Sequence, residues 1–191
     1  MSAHSPRKTV LSELPEEIKE SILELLPTRD AARCALLSTE WRGAWYRLGR
    51  LVFDKDFFRS LKNMSKPDGG LCMVSIINQI LMLRSGPIKK FTFHYSFSSK
   101  PPLEQSDLDR WCLLLARKGV EELDLSAGFP ITDYKVPSCL LWCKTIKELK
   151  LESFLFYFPV NAACIFPGLG FSMPKLEKLA LYRCCGAHPV Y

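Results

Sequence analysis

Eight cysteines and three histidines are the residues of this 191-residue chain best equipped for metal or nucleophilic chemistry. Cys139-x-x-x-Cys143 and Cys184-Cys185 are the only close cysteine pairs. A zinc site asks for two tight pairs of Cys or His at fixed spacing. None of His4, His94 and His188 sits near Cys139. Cys34, Cys72, Cys112 and Cys164 lie inside apolar stretches, where a free thiol acts as a small hydrophobe. The expectation is reduced core cysteines and no metal. A cysteine nucleophile needs a matching base, and His94 is the only centrally placed histidine, at the end of a predicted strand. The chain contains no Gly-rich phosphate loop, no H-E-x-x-H and no G-x-S-x-G. No catalytic residue and no cofactor are therefore assigned.

Charge narrows the field further. The net charge is +6, with 16 Lys/Arg against 10 Asp/Glu in residues 1–100 and ten of each in residues 101–191. No tight Lys/Arg cluster with interleaved aromatics appears, which argues against nucleic-acid binding. The N-terminus is short and polar, and the longest apolar runs, such as Cys112 to Ala116, fall far below a membrane span. The reading is a protein of the nucleus or cytoplasm with no membrane partner.

What the chain does carry is apolar periodicity in a dense N-terminal hairpin. Leu14, Ile18, Ile22 and Leu25 recur at helical spacing and predict one helix face. Pro15 suits a helix start, and Glu16 and Glu17 complement the positive end of the helix dipole. Pro27 ends that helix. Thr28 can cap a second one, with Asp30 in its first turn, and Ser38 a third, with Glu40 near its start. Trp41 and Trp45, four apart, share one face of the third. Residues 13–24 hold five Glu and one Lys, and residues 29–50 hold five Arg against Asp30 and Glu40. So small a unit rarely buries this many large apolar groups without a partner or the rest of the chain.

The pattern L-P-x-x-I-x-x-x-I-L-x-L-L-P-T-x-D-A-A-R, followed by L-L-S-x-x-W-R-x-x-W, resembles the F-box of the plant type that precedes leucine-rich repeats. The resemblance covers residues 11–48, after a flexible stretch at 1–10. One departure is visible: the family usually has a basic pair between the Ser and the first Trp, where this chain has Thr39-Glu40. The resemblance implies docking onto the small Skp-type adaptor of a cullin–RING ubiquitin ligase. On that reading Leu14, Pro15, Ile18, Leu26, Pro27 and Leu37 lie at or near the adaptor contact. Trp41 and Trp45 pack the third helix, partly within the F-box and partly against the adaptor.

From residue 50 onward a self-similar unit recurs. Ile88 to Phe93, Val120 to Leu125, Ile146 to Leu151 and Leu176 to Leu181 each read apolar-x-x-apolar-x-apolar, with Leu51-Val52-Phe53-Asp54 as an irregular opening strand. Each copy ends in the alternation of a half-buried strand. Helical stretches precede several of them: Val74, Ile77, Leu81 and Arg84 mark one, and Leu108, Trp111, Cys112, Leu115 and Ala116 another. Pro137 to Cys143 is a shorter equivalent. Strand–helix alternation at this period predicts a parallel sheet in a short solenoid. These units resemble the leucine-rich repeats of the same plant F-box family, about four to five of them over residues 50–191. The fold class is thus α+β multi-domain: a three-helix F-box followed by an α/β leucine-rich-repeat solenoid.

In such a solenoid Phe91, Phe93, Leu123, Leu125, Leu149, Leu151, Leu179 and Leu181 point inward. Their neighbours face outward, with an acidic patch expected around Glu122 and Asp124. His94, Glu122, Asp124, Lys150, Glu152 and Tyr182 are the candidate contacts to an unknown protein substrate. The cluster Phe154, Phe156, Tyr157 and Phe158 reads as core filling. No polar cap follows the last strand, so the sequence reads as a shortened product. The functional expectation is a non-catalytic substrate-recognition subunit of a Skp–cullin–F-box ligase. The alternative is a ligase-independent leucine-rich-repeat scaffold, or a truncated decoy that binds the adaptor without a target.

Overall fold

The computed structural model describes residues 10–62, 73–95, 103–128, 134–156 and 173–186. Apart from Val10, the expected flexible stretch 1–10 lies outside these residues. So do His4, Cys72, Tyr157, Phe158, Cys164 and His188.

A short 3₁₀ turn, Val10–Glu13, precedes α1 (Glu16–Leu25). The Pro15 carbonyl accepts from the Ile18 and Lys19 amides at 3.1 Å each. Helix α2 (Thr28–Cys34) begins directly after Pro27, and α3 (Thr39–Arg47) after Ser38. Ser38 caps α3 as expected, its hydroxyl accepting from Trp41 N at 3.4 Å. Thr28 does not cap α2. It is the first helical residue, it is buried, and its hydroxyl accepts from the Val52 amide at 2.8 Å. Buried in that position, it satisfies a strand N–H from outside its own helix.

Strand β1 (Arg50–Phe53) follows at once, then α4 (Lys55–Lys62), α5 (Met73–Met82), β2 (Lys90–His94), α6 (Gln105–Arg117) and β3 (Glu122–Ser126). A 3₁₀ turn at Ser138–Trp142 leads to β4 (Glu148–Glu152), and β5 (Leu155–Phe156), β6 (Lys178–Tyr182) and β7 (Cys185–Gly186) complete the order. Helix α4 was not expected from the sequence. Asp54 starts it, its carboxylate accepting from Phe57 N at 2.9 Å. Helix α6 ends in a Schellman motif: Gly119, at φ +78°, donates to Ala116 O, and Val120 donates to Leu115 O at 3.1 Å.

The sheet is parallel, in the order β1-β2-β3-β4-β6. Leu51, Phe91, Leu123, Leu149 and Leu179 stand in register across it, as do Phe53, Phe93, Leu125, Leu151 and Leu181. The repeat units and the opening strand are therefore all present as strands. Their inward residues are buried from β1 to β4. On β6, Leu179 and Leu181 remain 44% and 41% exposed, which departs from the expected inward set. No other described strand lies beyond β6, so these two leucines lack the next layer that covers their counterparts. A second small sheet, β5 with β7, was also unforeseen. Ser153 (φ 63°) and Arg183 (φ 50°), each the first residue past a strand, make the left-handed turns that lead into it.

One hydrophobic cluster runs from Leu23 through Trp41, Trp45 and Leu51 to Trp111 and Phe154, so the N-terminal helices and the sheet share a core. Aromatic rings bridge its layers: Phe53 meets Phe57 and Phe91, and Phe93 meets Phe58 and Trp111. The Trp111 indole donates to Asn78 Oδ1 at 2.6 Å. Arg84 ties the halves together. Its guanidinium is buried, stacks 3.9 Å from the Trp45 ring centre, and donates to the carbonyls of Trp45 and Ile80. Desolvation lowers its pKa to about 10. Gly86 passes so close to Arg47 that a Cβ there would lie 3.1 Å from the Arg47 carbonyl.

Candidate docking and recognition surfaces

Among the described residues, two surfaces gather the expected contacts once the core is assigned. The first lies on the N-terminal helices. Helix α1 turns Lys19 and Leu23 inward and packs on α3 and α2. Ile18 and Leu25 of the same helix are 47% and 86% exposed, and Leu36 and Leu37, past the end of α2, are 81% and 71% exposed. Leu11 is open as well. Pro15 and Pro27 are exposed, while Leu14, Ile22 and Leu26 are half-buried. Arg47 fixes α1 on α3 through Glu16 and Glu20, at 2.6 Å to each. This surface is apolar, flanked by acids on α1 and by arginines on α2 and α3. It has the chemistry of a protein-docking face rather than of a reaction centre.

The second is the outward face of the parallel sheet. Lys90 pairs with Glu122, and Lys178 with Glu148. One strand position on, Asp124 lies between His94 Nε2 and Lys150 Nζ, at 3.2 Å from each. Burial pushes the Asp124 carboxyl up, but the bonds and charges of His94 and Lys150 outweigh it and hold it below its ordinary value. Ser126 is buried and donates to Glu152 at 3.0 Å. Lys150 reaches to 5.8 Å from the exposed Tyr182 ring. The six candidate target contacts are thus together on one face. The expected acidic patch is not: each acid has a cross-strand cation, because register sets Lys90 beside Glu122 and Lys150 beside Asp124. A shallow depression of about 230 Å³ runs over this face from Lys90 to Lys178.

Cys112 is fully buried, and Cys34 and Cys139 are partly so; desolvation raises all three thiols, which keeps them protonated and unreactive. Among the described residues no group of His, Cys, Asp and Glu is arranged to hold a metal ion, and no helix is long and apolar enough to cross a membrane.

Residues 11–53 match the family model of the F-box domain, and residues 108–187 match the one described as FBD-associated F-box protein At5g56370, LRR repeats. The chain is 37% identical over 146 residues to the F-box/FBD/LRR-repeat protein At1g13570 of Arabidopsis thaliana, covering 74% of this chain and 32% of that protein. It is 30% identical over 142 residues to the F-box/LRR-repeat protein At3g59200 of the same plant, covering 74% of this chain and 26% of the relative. Over its whole length it is 28% identical to F-box/LRR-repeat protein At1g48400, again from Arabidopsis thaliana, 37% of which is covered. This is an F-box/leucine-rich-repeat protein. The chain spans about a third of the length of these relatives. No solved structure matches it.

Within the F-box, Pro15, Ile18, Pro27 and Leu37 are on the accessible surface, with Leu14 and Leu26 at its margin. Trp41 and Trp45 are each 5% exposed. Of the two roles expected for them, the structure gives the internal one: α3 faces the core of the chain, and Arg84 covers Trp45. Leu25 and Leu36, which complete the exposed surface, are not among the adaptor contacts expected from the sequence. The pair of α1 that turns inward is Lys19 and Leu23, four apart. On the repeats, Lys90, Glu148 and Lys178 join the candidate residues as charge partners.

Proposed function

We propose that this chain acts as a non-catalytic substrate-recognition subunit of a Skp–cullin–F-box ubiquitin ligase. Residues 11–48 form a three-helix docking unit for a Skp-type adaptor, and residues 50–191 form a short leucine-rich-repeat solenoid that holds a protein target. Chemistry is left to the ligase. The chain contributes proximity, raising the effective concentration of the target beside the ubiquitin-carrying enzyme. The nucleus or cytoplasm is the corresponding location.

The observation that carries this reading is the set of exposed leucine and isoleucine side chains on the F-box, Ile18, Leu25, Leu36 and Leu37. A folded chain that leaves them in water pays for the exposure; an apolar partner surface removes it at roughly 25 cal/mol per Å². The experiment is co-purification of the full chain with a Skp-type adaptor, beside Leu14→Ala/Pro15→Ala and Ile18→Glu/Leu37→Glu double variants. The expected result is stoichiometric capture, reduced more than tenfold in both variants. Folded wild-type chain that no adaptor paralogue captures would overturn the proposal and leave a ligase-independent scaffold.

A further inference from the structure

The outward face of the sheet carries an ordered charge row. Lys90, Glu122, Glu148 and Lys178 each open a strand and stand in register across four adjacent strands. These four read plus, minus, minus, plus, and Arg50, opening β1 in register with Lys90, adds a further cation on that side. Each lysine is bonded to the glutamate beside it, so the lysines flank two carboxylates that stand in register on neighbouring strands. Like charges directly opposite one another on neighbouring strands are destabilising. Both glutamates are also open to solvent, at 42% and 41% of their side-chain surface, so their pairing is not a buried structural network. In the next row the flanking positions are the small Thr92 and Ala180, with Asp124 and Lys150 between them. The face is therefore lowered at its flanks one row from the carboxylates, and both rows line the shallow depression.

We infer that this face seats a helix of the target protein, laid across the strands. The helix presents a basic side chain on each of two successive turns to Glu122 and Glu148, and an acidic one on the turns either side to Lys90 and Lys178. The inference rests on the target-binding reading proposed above and names the partner of that same face. Strands repeat about every 4.8 Å, and a helix turn rises about 5.4 Å. One turn per strand keeps four contacts in step across the row. An extended segment in the same direction spaces its same-face residues at about 6.8 Å and falls out of step by the second strand. The groups on the sheet have capacity to spare. An ammonium has three donors, of which the neighbouring glutamate takes one, and an ionised carboxylate accepts several bonds. Arginine suits the centre best, because its planar fork can bond two carboxylate oxygens at once.

The test uses two fluorescein-labelled, side-chain-stapled helices of sixteen or so residues, with binding to the full chain read by anisotropy. One carries Glu, Arg, Arg and Glu at successive turns of one face, and the other carries Arg, Glu, Glu and Arg. The first is expected to bind at least tenfold more tightly than the second, and raised salt should weaken it. Glu122→Gln/Glu148→Gln, two exposed substitutions whose thermal unfolding is checked alongside, should abolish the preference. Equal binding, a reversed preference, or no binding of either helix at millimolar concentration would overturn the inference. So would a preference that survives in the double variant. Adaptor capture is scored on the same samples. Lost helix preference with capture intact sinks this inference alone, whereas failed capture with the preference intact sinks the ligase reading and leaves the binding face.

Discussion

Helices α1 and α3 carry comparable apolar loads and place them oppositely. On α3, Trp41 and Trp45 go into the core, and Arg84, from just past α5, closes over Trp45. On α1, Ile18 and Leu25 stay in water while Lys19 and Leu23 turn inward. The difference lies in what the rest of the chain brings to each helix. The α3 face meets the turn after α5, where Arg84, Ser85 and Gly86 bond or pack against Trp45, Tyr46 and Arg47. The outer face of α1 meets no described element. One helix is fastened to the repeats, and the other is left for something else to cover. The small N-terminal unit thus solves its burial problem on one side through its own chain.

The sharpest way to break this contrast is to remove the covered ring. Trp45→Ala should destabilise the chain by about 3–5 kcal/mol, the range for deleting a large buried aromatic. Urea unfolding followed by far-ultraviolet circular dichroism measures it. A loss under about 1 kcal/mol would mean that the core shared by helices and sheet is not holding the fold.

Arg84→Ala sharpens the same point from the repeat side, at about 2 kcal/mol, from the lost stacking on Trp45 and the carbonyl left without its donor. The unfolding transition should stay single and shift as a whole, because the cluster is continuous across both regions. If the helical signal alone moved to lower urea, the two regions would be separate cooperative units.

How much of this was legible beforehand follows from which interactions are local. Strands β2, β3, β4 and β6 were readable because alternation and repetition are properties of neighbouring residues, and even the irregular Leu51 to Phe53 showed it. Helix α6 was readable for the same reason, with five core residues at helical spacing. Helix α4 was not. Its start depends on one side-chain bond from Asp54, and its two buried phenylalanines are adjacent in sequence, a pattern that marks no face. Which face of α1 turns inward was not legible, because two sets of residues satisfy the helical period and only packing against α3 selects Lys19 with Leu23. The acidic patch failed likewise. Glu122 and Asp124 are acidic in sequence, but their charge environment comes from Lys90, His94 and Lys150 on other strands, and that requires register. Partners distant in the chain are where local reasoning stops.

The sheet repeats the contrast between covered and open surfaces, and Asp124 tests its open side. Its folded pKa is lowered, so between that value and the ordinary one, about 3.9, the native state binds fewer protons than the unfolded chain. Stability therefore rises with pH in that window. The contribution is complete above the ordinary value and is lost as pH falls through the folded one. Its size stays below about 1 kcal/mol, as befits a partly exposed pair. Wild type should exceed Asp124→Asn in urea midpoint at pH 6, and the gap should narrow below about pH 4. A gap that holds constant down to pH 3 would show that the carboxylate's charge is not what the partners hold.

The smallest expected effect falls on the uncovered helix and decides the comparison. Leu25→Ser removes a side chain that already sits in water at 86% exposure, so stability should change by no more than about 0.5 kcal/mol. A leucine removed from a packed site costs several times that. The substitution takes one member out of the apolar period and leaves the buried pair Lys19 and Leu23 untouched, so it separates periodicity from burial. If Leu25→Ser unfolds as early as a core variant, then α1 packs its apolar stripe against this chain after all, and no surface is left on the F-box for a partner to cover. If stability holds while adaptor capture falls, the exposed leucine is being kept for the partner, at the expense of exposure in the free chain.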